Sequence, residues 1–162
     1  MAKVYVSAGS NVRPRENLRL ACRELRKRFG DVELSSVYRN PPVGFAGDDF
    51  LNLVATFDTD LPPTEVAAEL EEIHSLAGRD RSGERFAPRT LDLDLLLYDD
   101  LVRDERGLRL PREDVVKYDF VLAPLVELAP ELRHPVDGRR LRDIWDDFDG
   151  PDRGLTIEDL EP

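Results

Sequence analysis

The order in which two periodicities follow one another leaves this chain few folds to choose from. Residues 3–8 (KVYVSA) alternate apolar and polar, the mark of a strand with one buried face. Residues 14–29 then place Leu18, Ala21, Cys22, Leu25 and Phe29 at helical spacing, with Pro14 in the first turn and Gly30 as a stop. Residues 32–39 and 50–59 predict two further strands. Val66, Leu70, Ile73 and Ala77 form the stripe of a second helix that Gly78 ends, and residues 90–98 predict a fourth strand. The succession β-α-β-β-α-β is the ferredoxin-like plan, an α+β fold whose antiparallel sheet carries helices on both faces. Residues 101–110 then read as a hairpin turning at Arg106-Gly107. Residues 111 onward, 120–129 with Pro124, and 141–148 with Ile144, Trp145 and Phe148 as anchors read as a C-terminal helical extension. The sequence is expected to form one domain over residues 1–162, with the acidic tail from about 150 loosely held. Gly9-Ser10-Asn11 reads as a turn, and Arg19, Arg23, Arg26, Lys27 and Arg28 as a solvated face of the first helix.

The stretch with chemical content is Thr90-Leu91-Asp92-Leu93-Asp94-Leu95. Residues two apart on a strand share a face, so Asp92 and Asp94 stand side by side while Leu91, Leu93 and Leu95 enter the core. Adjacent carboxylates repel unless a cation lies between them. Hard oxygen donors on a rigid strand suit Mg²⁺, which takes one or two carboxylates and completes its shell with substrate phosphate oxygens. Four arginines, Arg79, Arg81, Arg85 and Arg89, precede the pair. Their forked donors match phosphate geometry, so the juxtaposition points to phosphoryl transfer. Each half has a plainer reading: Asp-x-Asp also describes a solvated edge strand, and an arginine run a solvated loop. Residues 40–47, with two prolines and then two glycines, read either as a substrate loop or as an ordinary connection. Asn52 within a predicted strand stands against propensity. His74, near the end of the second helix, reads as a surface or capping residue.

Composition removes several classes. The 162 residues carry 34 acidic against 23 basic side chains, a net charge of −11, which argues against nucleic acid as a partner. No apolar run is long enough for a membrane span, and no signal peptide is evident, so no membrane partner is expected. A lone cysteine, Cys22, on an apolar helix face implies a core thiol and a cytoplasmic location. No apolar stripe is left over on the surface, which points to a monomer. Phosphate-cradling glycine loops of the GxxxxGK[ST] or GxGxxG type are missing, as are a nucleophile–histidine constellation and zinc-ligand spacing.

Taken in order, Gly9-Ser10-Asn11, Tyr38-Arg39-Asn40-Pro41-Pro42, Phe50-Leu51-Asn52, Gly78-Arg79, Pro88-Arg89-Thr90-Leu91-Asp92-Leu93-Asp94, Pro124-Leu125 and Leu128-Ala129-Pro130 resemble the 6-hydroxymethyl-7,8-dihydropterin pyrophosphokinases of folate biosynthesis. The likeness runs to about Phe148, and the Pro-Arg-Thr-Leu-Asp-Leu-Asp run is its most specific part. The resemblance implies transfer of diphosphate from MgATP to the pterin hydroxymethyl group, with AMP released and the substrate's own hydroxyl as nucleophile. It implies that Asp92 and Asp94 bind two Mg²⁺ ions and that Arg79 and Arg89 grip the phosphates as catalytic groups. Asn52 would hydrogen-bond the pterin edge, Phe50 and Phe120 would sandwich its ring, and the backbone of Asn40, Pro41 and Val43 would complete that pocket. ATP would meet Glu71, His74, Arg79, Arg81, Arg85, Arg89 and Arg112.

The chain departs from the family pattern mostly in the ATP half. Phe86 stands for a usual Trp, Ala87 for Gly, Ser82 for a basic residue, Arg112-Glu113 for His-Tyr, Tyr118 for Arg, and His74 for Glu. Arg112 would take over a phosphate contact. Two alternatives remain open on sequence. One is a relative that binds pterin or nucleotide without turnover; the other is a different Mg²⁺-dependent nucleotidyl or phosphoryl transferase.

Overall fold

The computed structural model describes residues 1–42, 47–78, 91–148 and 155–162. The strands are β1 (Ala2–Ser10), β2 (Glu33–Leu34), β3 (Val37–Asn40), β4 (Phe50–Thr59), β5 (Asp92–Tyr98), β6 (Arg103–Glu105), β7 (Leu108–Leu110) and β8 (Thr156–Glu158). The helices are α1 (Pro14–Phe29), α2 (Pro63–Gly78), α3 (Asp114–Lys117), α4 (Asp119–Leu128) and α5 (Leu141–Asp146). The sheet runs β5-β1-β4-β3-β8 with every pairing antiparallel, and β2 also pairs with β4. The first four of these strands follow the ferredoxin-like order, and β6 and β7 form a separate hairpin.

Strand alternation builds two cores. Val4, Val6 and Ala8 of β1, Leu51, Leu53, Ala55 and Phe57 of β4, and Leu91, Leu93 and Leu95 face α1 and α2. There they meet Leu18, Ala21, Cys22, Leu25, Val66, Leu70 and Ile73, the stripes that the helical period predicts. A leucine fully buried here, such as Leu18 or Leu25, contributes about 2 kcal/mol relative to an exposed one. On the opposite face, Tyr5, Val54, Leu96 and Leu97 pack against Val115, Val121, Leu122, Leu125, Leu141 and Ile144. Leu96 and Leu97 share this face because the β1–β5 register shifts between Tyr5 and Val6. The irregularity lets one run of leucines serve both cores.

That second layer covers only part of its face. At the other end the same face presents Ser7 and Gly9 of β1, Asn52 of β4, and Asp92 and Asp94 of β5. The apolar layer stops, and a cavity begins.

Several local expectations are corrected. Strand β1 runs through Gly9 and Ser10, and the turn comes after them. Asn17 holds that turn, donating from Nδ2 to Val12 O at 2.6 Å and to Ser10 Oγ at 3.4 Å. The predicted strand over 32–39 is two short strands, split where Ser35 Oγ accepts from the Val54 N–H at 2.9 Å. Arg28 is not on a solvated face. It bridges α1 and α2, with Nη1 2.6 Å from Glu69 and 2.5 Å from Glu72, and Nη2 3.3 Å from Glu24. Ile144 anchors α5 as expected, with Phe148 packed at the edge of the second core, but Trp145 is 37% exposed and stacks on Phe148, and Leu141 is the further anchor.

The tail differs most from expectation. Residues 149–154 lie outside the described residues, but 156–158 join the sheet as β8, pairing with β3. Glu158 receives the guanidinium groups of Arg15 and Arg39, the latter from Nε at 2.8 Å, and Leu160 is buried in the first core. Two arginines 24 positions apart in sequence meet one carboxylate, which linear spacing does not reveal. Their charges and hydrogen bonds hold the Glu158 carboxyl below the usual range. Its contribution is therefore present above the unfolded carboxylate pKa and is lost as pH falls through the depressed folded value. Removing residues 155–162 is expected to speed hydrogen exchange at the β3 amides that pair with β8, while β1 and β4 keep their protection. Unchanged exchange at residues 37–39 would mean that β8 adds nothing to that edge.

Candidate active site

Asp92 and Asp94 emerge on the same side of β5, opposite Gly9 and Ser7 of β1. They border a cavity of about 270 Å³ that is also lined by Asn40, Phe50, Asn52, Asp114, Tyr118, Phe120 and Val121. Every element around it contributes through its end: β3 with Asn40, β4 with Phe50 and Asn52, β5 with the two aspartates, α3 with Asp114, and α4 with Phe120.

The two halves of the cavity differ in chemistry. At one side Asn40 and Asn52, 1% and 9% exposed, form an amide pair in which Asn52 Nδ2 donates to Asn40 Oδ1. Asn40 Nδ2 donates in turn to Pro41 O at 3.0 Å, and Pro41 itself is exposed. Tyr118 and Phe120 stack with centroids 5.0 Å apart and planes at 21°, and Phe50 also borders the space. Flat apolar walls with amide edges suit a flat heteroaromatic ring.

At the other side the carboxylates gather. Arg112 Nη2 lies 3.5 Å from Asp94 Oδ1, and Arg112 Nε lies 3.3 Å from Asp114 Oδ2. Burial pushes the Asp94 carboxyl above its ordinary pKa; Arg112 opposes the rise, while Asp92 and Asp114 add to it. A carboxylate held this way gains from a cation beside it. Among the described residues no group of three or more His, Cys, Asp or Glu side chains has metal-site geometry. Asp92 and Asp94 offer hard oxygens to the cavity, which fits an ion that completes its shell with substrate oxygens. Asp94 also borders a second cavity of about 120 Å³, lined by Glu71, Leu93, Arg109 and Arg112 among others. One carboxylate therefore faces both spaces.

The fold and this geometry can be set beside known proteins. The family model described as 7,8-dihydro-6-hydroxymethylpterin-pyrophosphokinase (HPPK) matches residues 5–130. The chain belongs to the HPPK family. It is 40% identical over 147 residues to the 2-amino-4-hydroxy-6-hydroxymethyldihydropteridine pyrophosphokinase of Pseudomonas aeruginosa, covering 88% of this chain and 89% of that one. The protein of the same name from Aquifex aeolicus is 35% identical over 146 residues, covering 89% and 91%. A crystal structure of Plasmodium falciparum HPPK-DHPS aligns with a TM-score of 0.72 over 90% of this chain. This chain spans 45% of that longer one, and at 13% identity the likeness concerns the fold alone.

Of the residues that the HPPK resemblance names, the structure brings Asn40, Phe50, Asn52, Asp92, Asp94 and Phe120 to one cavity. Glu71 and Arg112 line the neighbouring one. Val43, Arg79, Arg81, Arg85 and Arg89 lie outside the described residues. So do Ser82, Phe86 and Ala87. Ser7, Gly9, Asp114 and Val121 border the same cavity, and the sequence reading does not single them out as lining residues. A period-two count from Asp92 and Asp94 across the paired strand would have found Ser7 and Gly9; nothing in the sequence marks Asp114.

His74 occupies an unexpected place. Its Nε2 accepts the Leu93 N–H at 2.7 Å, and its Nδ1 lies 3.2 Å from Glu71 Oε1. Leu93 sits between the two aspartates on β5, the edge strand of the sheet among the described residues. The imidazole closes an otherwise open backbone donor and fixes the segment that carries both carboxylates. His74→Leu is expected to lower kcat/KM by roughly tenfold, the scale of losing a supporting contact behind a ligand. His74→Gln, whose amide oxygen can accept the same N–H, is expected to stay near wild type. Equal loss in both variants, measured as kcat/KM and Leu93 amide exchange, would reject this role.

Proposed function

We propose that the cavity over Asp92 and Asp94 is where a diphosphate group passes from MgATP to 6-hydroxymethyl-7,8-dihydropterin, the activity of the HPPK family in folate biosynthesis. The observation that carries this reading is the meeting in one cavity of paired carboxylates with a flat amide-and-aromatic pocket. The hydroxymethyl oxygen bonds to the β-phosphorus, the bond from that phosphorus to the α-bridging oxygen breaks, and AMP leaves with that oxygen. The hydroxyl proton passes to solvent or to a phosphate oxygen, so the protein needs no nucleophile of its own.

Each part of the chain has a task in that transfer. Phe50 and Phe120 hold the ring by its faces, and Asn52 reads its edge with the backbone of Asn40, Pro41 and Val43. Asp92 and Asp94 would hold the metal, two ions by the family likeness. Bound Mg²⁺ supplies a Lewis acid that makes the hydroxyl more acidic and offsets phosphate charge. Arg79 and Arg89 grip the phosphates in this reading, with Arg81, Arg85, Arg112, Glu71 and His74 toward the nucleotide. Arg112, 3.5 Å from Asp94, is near enough to the carboxylates to meet a phosphate bound beside them.

The reading extends to residues 1–162 acting as one domain and as a monomer in the cytoplasm, with small molecules and neither nucleic acid nor membrane as partners. The net charge of −11 supports the first exclusion. Among the described residues no helix is long and apolar enough to cross a membrane. The test is AMP release on mixing the protein with MgATP and hydroxymethyl-dihydropterin. AMP formed in step with pterin diphosphate is the expected result. ATP consumption that does not depend on the pterin, or none at high Mg²⁺, would defeat the proposal.

A further inference from the structure

Gly9 lines the cavity, paired across the sheet with Asn52. Its backbone gives no reason for a glycine. It is extended strand, not among the residues with positive φ. The reason lies across the strand. A Cβ placed on Gly9 would fall 2.4 Å from Asn52 Oδ1 and 3.5 Å from Asn52 Cγ. Carbon and oxygen do not approach so closely without one of them moving. The Asn52 amide therefore occupies the space that a side chain at position 9 would need. From there its nitrogen donates to Asn40 Oδ1, and Asn40 donates to Pro41 O.

We propose that Gly9 is a positioning residue for recognition of the pterin ring, acting through Asn52. The notch it leaves seats the Asn52 amide in the plane from which it and Asn40 address the ring edge. This rests on the reading of Asn52 as a pterin contact. The atom in conflict is the tip of a side chain with two rotatable torsions, not backbone. An added methyl group therefore re-aims the amide and leaves the strand in place. Such a change weakens recognition of the ring without touching the carboxylates that serve the phosphates.

The test compares wild type, Gly9→Ala, Asn52→Ala and the double variant, using hydroxymethyl-dihydropterin and MgATP as substrates. Gly9→Ala is expected to raise the pterin KM about tenfold, the scale of misplacing a polar contact in a site built around it. The ATP KM and kcat should stay within about twofold. In the Asn52→Ala background the same glycine substitution should change the pterin KM by less than about twofold, since nothing remains to be displaced. An undiminished effect in that background overturns the proposal, as does an unaltered pterin KM in Gly9→Ala. If Asn52→Ala alone leaves the pterin KM unchanged, the reading of Asn52 fails and this inference falls with it. If Gly9→Ala folds poorly, the double variant should regain the wild-type melting behaviour. A double variant that does not would place the clash elsewhere and reject the mechanism.

Discussion

Asp94→Asn is expected to reduce kcat by roughly a thousandfold or more, with the folded protein intact. The carboxylate faces both the ring cavity and its neighbour, so no other described side chain can substitute for its position. Asparagine keeps the shape and one oxygen but removes the charge that would hold a divalent ion. The loss corresponds to about 4 kcal/mol of transition-state stabilisation, the several kcal/mol that metal assistance supplies. Folding should be little affected and even favoured, because Asp94 is partly buried beside two other acids and its charge costs energy in the metal-free protein. The raised pKa has a defined sign. The folded protein without metal binds this proton more tightly than the unfolded chain, so the penalty of the charged group is relieved as pH falls through the raised folded value and is gone below the unfolded pKa. Mg²⁺ must displace the same proton, so apparent Mg²⁺ affinity should weaken as pH falls through that value. Asp94→Asn should remove that part of the pH dependence. Wild-type turnover in the variant, or Mg²⁺ affinity indifferent to pH, would take Asp94 out of the metal site.

The second large effect is expected at Phe120. It lies in the first turn of α4, stacks on Tyr118, and offers one flat wall of the cavity. Phe120→Ala should raise the pterin KM about 10–100-fold, since stacking a flat ring on an aromatic side chain is worth about 1–3 kcal/mol. The residue is only half-buried and packs at the margin of the second core, so the melting temperature should move little. Phe120→Trp keeps a flat face and should recover most of the affinity. Steady-state kinetics with either substrate varied separates this from a phosphate effect: the pterin KM moves and the ATP KM does not. A change confined to kcat would mean that Phe120 serves the chemistry and not the ring.

Together these predictions show where sequence and structure divide the work. The pairing of Asp92 with Asp94 was legible because a strand's period is two, and that period is a local property of the backbone. The faces of α1 and α2 were legible for the same reason, at their own period. The ferredoxin-like plan was legible because short connections and handedness leave few ways to arrange β-α-β-β-α-β. Asn52 stands out in the sequence because a polar amide sits against propensity in an otherwise apolar strand.

What stayed hidden depends on distances between residues far apart in the chain. Nothing local distinguishes Arg28 from its solvated neighbours on α1; three glutamates, two of them on α2, draw it inward. The tail from about 150 reads as loose because its composition is acidic and short of apolar residues. Arg15 and Arg39 give Glu158 the partners that allow a strand to form there. His74 reads as a surface residue until β5 passes beside it and offers the Leu93 amide. Gly9 looks like a turn glycine and proves to be a strand residue whose missing side chain makes room for Asn52. Periodicity and spacing belong to the chain itself and determined its elements, their buried faces and the pair of acids. Which polar groups meet is set by packing across the sheet, and only the assembled structure decided that.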